Sequence, residues 1–162
     1  MFDDVLEANR RYADGFALAE VRGKAARGLA VVTCMDTRID PLSMLGLVPG
    51  DAKIVRNVGG RATDDVLRGL VLATNLLDVD RVAIIHHTHC AMVSTNEDIA
   101  AAVSAAGGTD ATGWDFCAIA DPDADLAADV ARVRDCPLIN TDVLVAGWRY
   151  DVETGLVQPV VS

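Results

Sequence analysis

The stretch LAVVTCMDTR, residues 29–38, decides how this chain is organised. Residues 29–33 are an uncharged run that suits a short buried strand, and the run ends on Cys34. A polar turn follows, in which Asp36 and Arg38 stand at two-residue spacing. A second apolar run, Val82 to Ile85, ends in the same manner at His86-His87-Thr88-His89-Cys90. Two such strands lying side by side and parallel would bring Cys34, His87 and Cys90 together at their carboxyl ends, where open sheets of this kind hold ligands.

The remaining segments alternate strands with helices, which implies an α/β fold: a mostly parallel sheet flanked by helices. Upstream, residues 2–14 read as a helix with Asp3 and Asp4 in its first turn, favoured there by the helix dipole. Residues 16–28 read as a second short helix and a loop. Residues 1–28 together form an N-terminal arm, and 29–162 the core of a single domain. Asp40-Pro41 supplies an N-cap and a first helical residue. Residues 53–56 form another strand, leading into Asn57-Val58-Gly59-Gly60-Arg61, where a glycine pair lets the backbone pass close to something. The helix over 63–77 begins at Thr63 as cap and is apolar around most of its circumference, so burial on two sides is expected. Ser94 and Glu97 have capping-box spacing for a helix ending at Gly107-Gly108. Residues 109–120 match no element. Asp121-Pro122 opens a helix that stops before Pro137. Val143 to Val152, a turn at Glu153-Thr154-Gly155, and Leu156 to Val161 read as a hairpin, which makes the last strand an antiparallel edge.

Composition narrows the function. The chain has 162 residues, 51% of them apolar, enough for one hydrophobic core. Its formal charge of -10 argues against nucleic acid as a partner, since neutralising phosphates requires clustered Lys and Arg. Apolar runs are short and broken by charge, so no membrane span is expected. The start, MFDDVLEANRRY, carries acids where a secretory signal needs a basic segment, so a cytoplasmic protein is expected. In a reducing compartment the four cysteines need form no disulfides.

A lone strand-end cysteine is most simply a buried core thiol. Two cysteines and a histidine, on two segments that each leave a strand end, are instead a soft donor set that selects zinc. Three protein ligands leave a fourth position for water, the mark of a catalytic rather than a structural zinc. Water on such an ion loses its proton near neutral pH rather than at its bulk value of about 15.7 and becomes a nucleophile. Two thiolates donate more charge than imidazoles, so activity should favour the alkaline side. Asp36 and Arg38 would elsewhere read as a surface ion pair. Beside the metal motif they read as a gate, in which Arg38 holds Asp36 off the metal and Asp36 orients the zinc-bound water or hydroxide. Released, Asp36 would itself become a fourth ligand and close the site. His86 is expected to be a core or hydrogen-bonding residue, and His89 to face solvent or a subunit boundary, where it could also shuttle protons. Cys117 and Cys136, with no histidine at ligand spacing, are expected to be structural.

CMDTR at 34–38, RNVGG at 56–60 and HHTHC at 86–90 together resemble the β-class carbonic anhydrases, in particular their short members. The stretch DPLSMLGLVPGDAKIVRN at 40–57 and the closing YDVETG at 150–155 are similar to the family too. The resemblance implies reversible hydration of carbon dioxide to bicarbonate and a proton, and a homodimer or dimer of dimers. It implies Cys34, His87 and Cys90 as zinc ligands, Asp36 and Arg38 as the gating pair, and Gly59 and Gly60 lining the substrate pocket. The chain departs from the family at His89, where Asp or another residue is usual, and at Ala91, where Gly commonly follows the second cysteine. Carbonyl sulfide or carbon disulfide hydrolysis on the same scaffold, and a zinc-binding homologue without turnover, are the alternatives.

Overall fold

The computed structural model describes residues 1–162. The strands are β1 Leu29–Cys34, β2 Ala52–Asn57, β3 Arg81–His87, β4 Leu144–Tyr150 and β5 Val157–Val161. They form one sheet in the order β2-β1-β3-β4-β5. The first four are parallel, and β5 is an antiparallel edge strand joined to β4 by the expected hairpin. β1 and β3 are direct neighbours, with Leu29 opposite Arg81 and Thr33 opposite Ile85. Both strands therefore end at the same level, and the two motifs leave the sheet side by side.

The helices are α1 Asp3–Asp14, α2 Pro41–Met44, α3 Asp64–Leu76, α4 Asn96–Gly107 and α5 Pro122–Arg134. Side chains alternate across the central strands as their period of two requires. Ala30, Val32, Val82 and Ile84 pack against Val66 and Leu70 of α3 and Leu126, Val130 and Val133 of α5. Val31, Ala83 and Ile85 fill the opposite face with Met44, Leu45, Ile54 and Trp148. Gly147 of β4 makes room for α5: a Cβ there would lie 3.0 Å from both Leu126 Cγ and Val130 Cγ2. That close approach sets how deep α5 sits on the sheet.

Local cap chemistry holds at two helix starts. Asp40 accepts from the Ser43 N–H, and Asp121 from the Asp123 and Ala124 N–H groups, each followed by proline. Elsewhere the structure corrects the expectation. Residues 16–28 contain turns and no helix. Their backbone is used instead to join the core, with Ala26 and Arg27 N–H donating to the Gly50 and Asp51 carbonyls and Ala25 buried. The cap of α4 is Thr95, whose hydroxyl accepts from Asp98 N–H, and not Ser94. Thr63 precedes α3 without a side-chain cap bond, its hydroxyl lying 3.4 Å from Asn57 Nδ2. Burial of α3 is one-sided, with Leu72 and Leu76 exposed. Residues 109–120 are held by the Asn96 side chain, whose carbonyl accepts from Phe116 and Ala118 N–H, and by a bridge between Val93 and Ile119. No residue of α1 is buried, and Phe2, Val5, Leu6 and Tyr12 are exposed. No helix is long and apolar enough to cross a membrane.

Candidate metal centre

Cys34 is the last residue of β1, His87 the last of β3, and Cys90 lies in the turn that follows. All three are buried, and one donor atom from each falls within a span of 4.8 Å. His87 Nδ1 is 2.9 Å from the Thr88 carbonyl oxygen. A carbonyl only accepts, so Nδ1 carries the proton and Nε2 keeps its lone pair. That Nε2 is buried with no hydrogen-bond partner. An orphaned imidazole lone pair beside two thiols fits a thiophilic divalent cation, zinc above all, and leaves no need for a strained or unpaired group.

The two thiols are not equivalent. The hydrogen bond from the Cys90 thiol, set against the cost of burial, holds Cys34 far below the ordinary thiol range. Cys90, facing the Cys34 thiolate in a buried place, is pushed up. The end of β1 that carries Cys34 is also wrapped closely by backbone from the turn after β2. The glycine pair makes this possible. A Cβ on Gly60, at φ +71°, would meet Cys34 N and the Thr33 carbonyl carbon at 3.0 Å, so only glycine lets this turn lie against the end of β1. Arg56 tightens the turn after β1, donating to the Cys34 carbonyl at 2.9 Å and the Asp36 carbonyl at 2.7 Å.

Asp36 stands just outside the cluster. Arg38 grips it with its backbone N–H and Nε on Oδ1, both at 2.9 Å, and Nη2 on Oδ2 at 2.7 Å. The same Nη2 reaches the His89 carbonyl at 3.1 Å, so one guanidinium joins the two motif turns. These bonds hold the Asp36 carboxyl well below the usual carboxylate range, so it is ionised at any physiological pH. Its Oδ2 is 4.0 Å from His87 Nε2, near the cluster without belonging to it. Ile39, Ile119, Met44, Met92 and Tyr150 surround the two cysteines with apolar surface, suited to a small apolar molecule.

His86 is buried and bonds Asp129 at 3.1 Å, as expected of a core histidine. His89 is exposed, at φ 54°, with Nε2 3.5 Å from Glu153 Oε1. Cys117 and Cys136 are half-buried free thiols outside the cluster. Sequence reasoning missed Arg61 and Asp129. Arg61 donates to Asp129 at 2.7 Å, to Asp125 at 3.0 Å and to the Ala118 carbonyl at 2.8 Å. A signal was present: Asp129 falls on the apolar stripe of α5 with Leu126, Val130 and Val133, where an acid is out of place unless it is paired.

Comparison with known proteins bears on this geometry. A carbonic anhydrase family model matches residues 29–112. Beta-carbonic anhydrase 1 of Mycobacterium tuberculosis is 33% identical, over 98% of this chain and 96% of its own length. A carbon disulfide hydrolase of Acidianus sp. is 30% identical, over 95% of this chain and 88% of its own. The crystal structure of carbonic anhydrase from Streptococcus mutans superposes with a TM-score of 0.91 at 38% identity, covering 98% of this chain and 96% of that one.

Proposed function

The chain belongs to the β-carbonic anhydrase family, and from that premise we propose that it is a zinc enzyme for the reversible hydration of carbon dioxide to bicarbonate and a proton. Cys34, His87 and Cys90 hold the metal. When bound, zinc supplies the Lewis acidity that makes water a nucleophile near neutral pH. The observation that carries the reading is the buried, unpartnered His87 Nε2 converging with two thiols while Asp36 waits beside them in the grip of Arg38.

The chain's own groups divide the work. Asp36, ionised and fixed in direction, accepts a hydrogen bond from water in the pocket and so turns an oxygen lone pair toward the substrate carbon. Arg38 keeps that carboxylate from becoming a fourth ligand, and Asp36 closes the site only if Arg38 releases it. Gly59 and Gly60 line the pocket through their backbone. Ile39, Ile119 and Met92 offer carbon dioxide an apolar approach, while the ionic product is better solvated outside.

The proposal extends to assembly and place. Residues 29–162 form the zinc-binding core. Residues 1–28 begin as an arm whose exposed Phe2, Val5, Leu6 and Tyr12 cover a second copy, in a homodimer or a dimer of dimers. Four free thiols fit the reducing cytoplasm.

Stopped-flow hydration with a pH indicator, on protein carrying one zinc per chain, tests the reading between pH 6.5 and 9. Rates well above background that rise toward the alkaline side are expected; background rates at pH 8.5 would refute it. The Acidianus relative favours a second reading, hydrolysis of carbon disulfide or carbonyl sulfide. Sulfide release from either gas, exceeding the carbon dioxide rate, would select that reading instead.

A further inference from the structure

The geometry points to Asp129 as a positioning residue for the metal centre: from α5 it holds the turn that carries Gly59 and the strand end that carries His87. The inference rests on the zinc reading of Cys34, His87 and Cys90 for its metal readouts. Asp129 is buried and every part of its carboxylate is used. Oδ1 accepts from Ala62 N–H at 3.1 Å, and Oδ2 accepts from Arg61 Nε at 2.7 Å and His86 Nε2 at 3.1 Å. Each partner adjoins the site. Arg61 and Ala62 follow Gly59-Gly60 directly, and His86 precedes His87.

The link to the ligands is short. A Cβ on Gly59 would lie 3.3 Å from both Arg61 Cγ and Ile119 Cδ1, and Ile119 packs with Cys34 and Cys90. Gly60 is wedged against the end of β1, so the turn can slide only if Arg61 and Ala62 let go. His86 and His87 point to opposite faces of β3, as neighbours in a strand must. Fixing His86 against α5 therefore fixes the rotation of the strand end that aims His87. Simple stability is a poor explanation of this acid. A buried ion pair is costly to desolvate, and apolar residues replacing Arg61, His86 and Asp129 together would fill the same space without that cost. What an apolar residue cannot do is orient three donors at once. Supports of this kind around metal ligands commonly change affinity by about 10- to 100-fold.

The test is Asp129→Asn in the full chain, with Arg61→Lys as a second variant that keeps the charge but loses the guanidinium fork. In the metal-free proteins, amide hydrogen exchange at Gly59 to Ala62 should quicken roughly 10-fold more than in α3. Zinc affinity by chelator competition should fall about 10- to 100-fold. The thiolate-to-metal charge-transfer band of the cobalt-substituted protein should shift. A merely structural role would lower the melting temperature and leave the affinity and the band as in wild type. That result in whichever variants fold would overturn the inference. A wild-type protein that binds no zinc would instead overturn the reading beneath it, and uniform exchange along the chain would then remove the positioning role as well.

Discussion

Two arginine–aspartate pairs bracket the cysteine–histidine cluster, and they are built in opposite ways. Arg38 and Asp36 sit two residues apart in one turn, with side chains 47% and 18% exposed. Arg61 and Asp129 are separated by 68 residues and are 14% and 6% exposed. The first pair is a local, solvent-facing clamp that can open without disturbing the sheet. The second is sealed between α5 and the end of β3, where neither partner can leave without exposing an unpaired charge to the core. A movable pair suits a group that must face reacting molecules. A fixed pair suits a group that must keep ligands still.

Substitutions can break this comparison. Asp36→Ala should keep zinc and a near-native melting temperature but lose about 100-fold or more in hydration rate, the usual scale for a positioned acid–base group. Stopped-flow rates and metal content on one sample check it, and full activity would end the role given to Asp36. Asp129→Ala should do the reverse first, costing about 3–5 kcal/mol of stability by leaving Arg61 and His86 short of a partner. Denaturant unfolding reads that loss, and a wild-type midpoint would show the sealed pair to be idle.

Acid sharpens the contrast further. Burial alone would raise the Asp129 carboxyl, but His86 and Arg61 outweigh it, even with Asp125 alongside, and hold it below its ordinary value. An unfolded chain titrates this group near about 3.9. Its contribution is therefore complete above that pH and fades as pH falls toward the lower folded value. Melting curves from pH 7 to 3 should drop steeply below about pH 4 in wild type and less steeply in Asp129→Asn. Parallel curves would contradict the assignment.

The same contrast explains what could be read from the chain in advance. β1, β3 and the donor cluster at their ends were legible because each signal is local: a short uncharged run ending on a donor residue. Asp40-Pro41 and Asp121-Pro122 were legible for the same reason, since a cap acts within three residues. The Asp36–Arg38 clamp is local too. Arg61 and Asp129 meet only after α5 has docked over Gly147, and no spacing rule spans that distance. Residues 16–28 failed as a helix because their backbone bonds go to Gly50 and Asp51, a tertiary demand that overrides weak local preference. Residues 109–120 resisted assignment because their order comes from contacts outside the segment: the Asn96 and Arg61 side chains and the bridge from Val93 to Ile119. The α4 start slipped by one residue because Ser94 and Thr95 are both able caps and the chain uses the second.

X-ray absorption at the zinc edge of the loaded protein addresses the metal centre itself. The structure calls for two sulfur neighbours at about 2.3 Å and a remaining shell of nitrogen and oxygen near 2.0–2.1 Å, with one sulfur lost in Cys34→Ser. A shell with no sulfur, with four sulfurs, or unchanged by that substitution would contradict it.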